Sequence, residues 1–210
     1  MSAFLGPIHY WLYNKILLQQ EFVDSITDYA ENKLGNTDFK KTLDEKYGEM
    51  DLRPLGEIIN PSDIHGWLQE RVQMVEKKFA YSITELLKKD QGTLLADLEE
   101  IYYQIGKKKR AEVNEKYGTN DSYQIEEIYK ELQDLLLDGM PCDHATSISE
   151  STNDYILIIR HTCVHHEYWD AIGGDVSKYY QLRDAFTKGY LEELNISYEQ
   201  IDEDTFKLSK

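Results

Sequence analysis

The chain has very little cysteine, a shortage of basic charge and no long apolar run. Two cysteines in 210 residues exclude a disulfide-stapled scaffold, and such thiols serve instead as free groups or metal ligands. There is no Cys-x-x-Cys, no zinc-finger spacing, no Cys-x-x-Cys-His for covalent haem and no His-Glu-x-x-His. Lys and Arg number 23 against 39 Asp and Glu, a formal net charge of −16. That balance offers no basic face to neutralise phosphates, which argues against nucleic acid and anionic membranes as partners. The one basic run, Lys107–Arg110, lies among acidic helices and reads as a solvated helix face. No stretch approaches the ~20 consecutive apolar residues that cross a bilayer. Met1–Pro7 has neither the basic start nor the apolar core of a secretory signal. The expectation is a soluble, cytoplasmic protein.

Apolar residues make up 41% of the chain, enough for the core of one large domain or two small ones. Tyrosine is abundant at 16, which suits helix packing with hydroxyls at the rim of a core or pocket. Pro7 opens a helix where its missing N–H costs nothing. Ile8, Trp11, Leu12, Ile16, Val23, Ile26 and Ala30 then recur at helical spacing, to about Leu34. Gly35-Asn36 ends this helix, and Asp38 caps a second one reaching Tyr47. A third begins at Ser62-Asp63, and there the sequence repeats itself. Pro-Ile-His-Tyr-Trp-Leu-Tyr-Asn-Lys-Ile (7–16) matches Asp-Ile-His-Gly-Trp-Leu-Gln-Glu-Arg-Val (63–72). Phe22, Ser25 and Ile26 match Phe79, Ser82 and Ile83, and Glu45-Lys46-Tyr47-Gly48 matches Glu115-Lys116-Tyr117-Gly118. Two copies make an internal duplication rather than a solenoid.

The duplication predicts two inward-facing histidines in the first turns of equivalent helices. His9 shares a face with Ile16 and Val23, and His65 one with Val72, Phe79 and Ile83. A helix N-terminus disfavours imidazolium, which leaves neutral rings competent as ligands. Either each is a packed histidine bonded to a carbonyl or tyrosine, or both point into one shared site. Trp11 and Trp67, at matched positions, and Trp169 read as core residues or as walls of a cofactor pocket.

Helices follow at Leu94–Glu115 and Tyr123–Leu137, and Asp138-Gly139-Met140-Pro141 ends the helical part. Thr146–Glu150 and Tyr155–His161 read as a β-hairpin turning at Ser151–Asp154. Tyr155–Ile159, apolar on both faces, predicts a central or covered strand. A short helix at Glu167–Ile172, a long one from Asp175 to about Leu194, and a closing hairpin of Tyr198–Ile201 with Phe206–Leu208 complete the chain. The fold class is α+β: an N-terminal helical bundle from a duplicated helical hairpin, then a small antiparallel sheet with a covering helix. The regions are 1–138, with repeats at about 7–59 and 63–129, and 139–210, together one compact unit.

The chemistry concentrates in Met140–His144 and Arg160–Trp169. Hairpin geometry makes these ends adjacent, gathering Cys142, Asp143 and His144 with His161, Cys163, His165 and His166. Thiolates and imidazoles in one place suit Zn, Fe or haem. The candidate ligands are His9, His65, Cys142, His144, His161, Cys163 and His165. The same residues suit nucleophilic catalysis, with Cys163 as nucleophile, His165, His166 or His144 as base, and Asp143 or Glu167 as orienting carboxylate. A plainer reading is an inert cysteine among strand-end hydrogen bonds.

Arg160 and Cys163, Tyr168-Trp169, Gly173-Gly174-Asp175, Tyr179-Tyr180, Asp184, Phe186 and Gly189-Tyr190 resemble the L-2-amino-thiazoline-4-carboxylate hydrolase-like family over roughly residues 139–210. That family's pattern carries a second cysteine before the aspartate of the last helix; here Tyr180 stands at about that place. The resemblance implies an α+β protein with Cys163 in its functional pocket. The leading expectation is a Cys/His pocket that binds a transition metal or haem and, if catalytic, acts on a small molecule. A cysteine-dependent hydrolase comes second, and a non-enzymatic sensor or interaction domain third. The expected partner is a small-molecule ligand or substrate, with a homodimer left open.

Overall fold

The computed structural model describes residues 4–89, 92–118 and 123–210. Met1, Ser2 and Ala3 of the N-terminal segment, and residues 90, 91 and 119–122 of the second repeat, lie outside the described residues. The fold is α+β: mostly N-terminal helices, then a four-stranded antiparallel sheet and the helix associated with it. Among the described residues, no helix is long and apolar enough to cross a membrane.

The chain divides into two compact units that do not follow the boundary expected at residue 138. One comprises Met1–Asp90, Asp134–Asp143 and His165–Val176, the other Gln91–Gln133, His144–Val164 and Ser177–Lys210.

In the first unit, α1 (Pro7–Asn32) and α4 (Ile64–Leu87) are the duplicated helices. Pro7 occupies the first turn of α1, and the Asp63 carboxylate caps α4 by accepting from Gly66 N at 3.0 Å. His9 meets His65, Tyr13 lies beside Trp67, and Asp24 feels the charge of Lys78. These pairs keep a near-constant sequence offset, so α1 and α4 run side by side in the same direction. Leu12, Tyr13 and Ile16 bury against Trp67, Leu68, Val72 and Val75. Ile8, expected on this face, is 48% exposed. Two short helices, α2 (Phe39–Tyr47) and α3 (Leu55–Ile58), return the chain from the end of α1 to the start of α4. A later short helix, α7 (His166–Asp170), joins this unit through Trp169, whose ring meets Phe79 edge-on at 6.0 Å.

The second unit pairs α5 (Leu94–Tyr117) with α8 (Ser177–Leu191). Their backbones approach through two glycines. A Cβ on Gly106 would stand 2.1 Å from the Phe186 carbonyl oxygen, and one on Gly189 would stand 2.0 Å from that of Tyr103. Most of α6 (Ile125–Leu135) belongs here too. Thus the matched copies diverge after α1 and α4: α2 has 9 residues and α5 has 24, and α5 packs on α8.

The sheet has the order β1-β2-β4-β3. β1 (Thr146–Ser151) and β2 (Tyr155–Arg160) form the expected hairpin, with a bulge between Ile148 and Glu150. β3 (Ser197–Gln200) and β4 (Thr205–Ser209) form the closing one. β2 is central, paired to both β1 and β4, as its apolar faces require. The hairpin ends are adjacent, with His161 N donating to Ala145 O at 2.8 Å.

Candidate functional site

Among the described residues, the candidates that meet each other across the chain are the duplicated histidines, while His165 and Cys163 each sit with other partners. His9 and His65 face each other Nε2 to Nε2 at 3.3 Å. Their exposures differ: His9 is buried, while His65 is exposed rather than core-facing. Gly6 N donates to His9 Nδ1 at 2.9 Å, so that nitrogen is an acceptor and the proton of a neutral ring sits on Nε2. His9 Nε2–H therefore donates to His65 Nε2. A metal-bound histidine shows the reverse pattern, donating through the nitrogen that does not bind the metal.

His165 is enclosed in the first unit, 1% exposed. Its Nδ1 lies 3.1 Å from both Glu76 carboxylate oxygens, and its Nε2 lies 3.7 Å from Asp138 Oδ1, an ionic contact rather than a hydrogen bond. Burial alone would lower its pKa; the two carboxylates outweigh burial and push it up to about 9. At neutral pH His165 is thus an imidazolium clamped between carboxylates. It has no lone pair for a metal or for the base role, which are the two roles the sequence suggested for it.

Cys163 belongs to the second unit. It is half-buried, and the Tyr180 hydroxyl donates to its Sγ at 3.1 Å. The Arg160 guanidinium lies 3.8 Å from the Tyr180 ring centroid. Arg160 Nε donates to Asp204 Oδ1 at 3.0 Å, and the guanidinium also reaches the Glu203 carbonyl. Burial, then the hydrogen bond to Cys163, push the Tyr180 phenol upward in pKa, so it keeps its proton and remains a donor. On the same helix Asp184 accepts from Tyr198 at 2.7 Å, and burial pushes its carboxyl up. Strand β2 therefore delivers Arg160 and, just past its end, Cys163, while α8 delivers Tyr180 and Asp184.

The remaining candidates do other work. Cys142 is exposed. Asp143 accepts from Met140 N at 2.7 Å and ties the turn after α6. His144 is exposed in the left-handed region at φ 47°. His161 pairs with Ser147 Oγ at 2.7 Å, and His166 is exposed. Of the expected ligands, His9, His65, Cys142 and His165 fall in one unit, and His144, His161 and Cys163 in the other. Among the described residues, no group of three or more His, Cys, Asp or Glu side chains is placed to hold a metal ion.

Two of the three tryptophans carry cations. Lys15 Nζ lies 3.7 Å from the Trp11 ring, and Arg71 lies 4.3 Å from the Trp67 ring. This one-turn pairing of aromatic and cation is repeated by the duplication. Trp11 also donates to Asp134 at 2.8 Å. Trp169, 1% exposed, is core.

Sequence reasoning missed Glu76, although a signal was present. It sits between Val72 and Phe79 on the buried stripe of α4, where a carboxylate needs a buried cationic partner. Asp138, read only as part of a helix stop, carried no such signal.

No protein-family model, curated protein or solved structure matches the chain.

Proposed function

We propose that the protein is a cysteine-dependent hydrolase of a small molecule, with Cys163 as its nucleophile. One observation carries this reading: the hydrogen bond from Tyr180 to Cys163 Sγ at 3.1 Å, with the Arg160 guanidinium stacked on the same ring. An O–H donor and a nearby cation complement a sulfur that carries negative charge, the form that attacks. The sulfur adds to an electrophilic carbon of the substrate, forming a C–S bond and breaking the bond to an amine or alcohol leaving group, which takes up the thiol proton. Water then breaks the C–S bond, releasing the acid and restoring the thiol. Tyr180 holds the sulfur in place, and Arg160, fixed by Asp204, positions Tyr180. This role set uses no histidine base: His165 holds its proton at neutral pH, and His144 and His166, the other two expected bases, are exposed side chains.

The test is alkylation of the intact protein by iodoacetamide, read by mass spectrometry for each cysteine. Cys163 should react faster than the exposed Cys142 near neutral pH, and Tyr180→Phe should slow Cys163 several-fold while leaving Cys142 unchanged. If Cys163 stays unreactive while Cys142 is alkylated, the thiol is a packed side chain and the proposal is lost.

Binding of zinc, iron or haem ranks second. Its support is the 3.3 Å between the Nε2 atoms of His9 and His65, close to the ligand–ligand edge of about 3.3–3.4 Å in a tetrahedral zinc site with Zn–N bonds of roughly 2.0–2.1 Å. The Gly6 hydrogen bond, which keeps the proton on His9 Nε2, places it behind the thiol reading. Elemental analysis of protein purified without added metal separates the two.

A further inference from the structure

The first unit contains a cavity of 380 Å³ that involves no residue of the Cys163 group. Its volume lies within the range of small-molecule sites, roughly 300–1,000 Å³. Tyr47 from α2, Gln73 and Lys77 from α4, and Glu167, Tyr168 and Ile172 from in and beyond α7 line it. We propose that this cavity binds a small zwitterion, a molecule with a carboxylate, an ammonium group and an aromatic or aliphatic body, the chemical class of a free α-amino acid.

The polar lining is divided by sign. Gln73 and Lys77 are one helical turn apart, so their heads reach the same patch. Among the described residues, Lys77 makes no ion pair and the Gln73 amide makes no hydrogen bond. Other lysines of α2 and α4 are engaged: Lys40 and Lys78 with Asp44, and Lys46 over the Tyr81 ring. In a chain with 39 acidic and 23 basic residues, a cation left unpaired at a cavity wall is the group to which an incoming carboxylate would bind. The Gln73 amide would supply a hydrogen bond beside it.

Glu167 supplies the opposite sign. Burial, together with the Glu167 and Glu76 carboxylates, pushes the neighbouring Tyr168 phenol up, so Tyr168 stays protonated at the cavity. Glu167 is itself an exposed carboxylate of the lining, the group an incoming ammonium would meet. Tyr47 and Ile172 add an aromatic ring and an aliphatic side chain to the same lining. The Tyr47 ring sits edge-on against Tyr81 at 5.7 Å, with Lys46 Nζ 5.3 Å from its centroid, and brings aromatic surface to the cavity for an apolar body.

The experiment uses the full chain and three probes of matched shape: L-phenylalanine, 3-phenylpropionate and phenethylamine, titrated by NMR and by calorimetry. L-Phenylalanine should bind more tightly than either singly charged analogue and shift the Ile172 methyl signals. Lys77→Gln should weaken L-phenylalanine and phenylpropionate about threefold to fivefold, the size of an exposed ion pair, and leave phenethylamine unchanged. Glu167→Gln should do the reverse. Both side chains lie on the surface, so neither variant endangers the fold. Equal affinity for all three probes, no binding of L-phenylalanine below about 10 mM, a limit near 3 kcal/mol of binding energy, or binding that both variants leave intact would overturn the proposal.

Discussion

Glu76 sets the charge state of His165. A carboxylate on the buried stripe of α4 must be neutralised, and the imidazole Nδ1 at 3.1 Å does this by carrying a proton. Because the folded state lifts the pKa from 6.5 to about 9, it binds this proton more tightly than the unfolded chain does. The stability from this pair is fully present below pH 6.5 and is lost as pH rises through 9. Urea unfolding followed from pH 6 to 10 should show that decline, and the His165 ring signals should titrate near pH 9. Glu76→Gln should cost about 3–5 kcal/mol at neutral pH, since it leaves the enclosed imidazole with only the more distant Asp138 carboxylate, and should flatten the decline. A His165 signal titrating near 6.5 in the folded protein would refute this account.

Two pairs of helices show how sequence turns into packing. The matched Ile-His-x-Trp-Leu starts of α1 and α4 bring their first turns together, and a cation one turn after each tryptophan covers the exposed ring face. α5 and α8 meet differently, with Gly106 and Gly189 letting each backbone reach the other. Any Cβ at these positions collides with a carbonyl, which unlike a side chain cannot rotate away. In both helices glycine-to-alanine would otherwise favour the helix by ~1 kcal/mol. Gly106→Ala and Gly189→Ala should instead each destabilise the protein by about 1–3 kcal/mol, the usual cost of overpacking. Gly92, which has nothing near its Cβ position, lies outside this close contact. Chemical denaturation of the two variants checks the prediction, and a stabilised Gly106→Ala would show that the helices part freely.

For the molecule as a whole, the charge of −16 opposes compaction, and salt screens it over a Debye length that falls from ~30 Å at 0.01 M to ~8 Å at 0.15 M. Thermal melts across that range should show Tm rising by roughly 2–4 °C, which corresponds to about 1 kcal/mol for a chain of this size. A Tm that falls with salt would mean that attractive pairs such as Lys78–Asp44 and Arg110–Glu131 outweigh the net repulsion. What the sequence alone determined is what depends on neighbours along the chain. Period and caps set α1 and α4, β-branched alternation set the first hairpin, and the apolar run made β2 central. The meeting of His9 with His65 was open to the same reasoning, because duplicated starts place equal residues at equal heights. Which unit each element joined, and which group each functional side chain met, were decided only by tertiary structure. Residues 76 and 165, and likewise 163 and 180, come together through packing that no spacing encodes. The Gly106–Phe186 contact drew α5 to α8, and Trp169 joined α7 to Phe79. The sequence therefore carried the inventory of thiol and imidazoles, while burial beside carboxylates fixed His165 as a charged clamp and left Cys163 with a tyrosine.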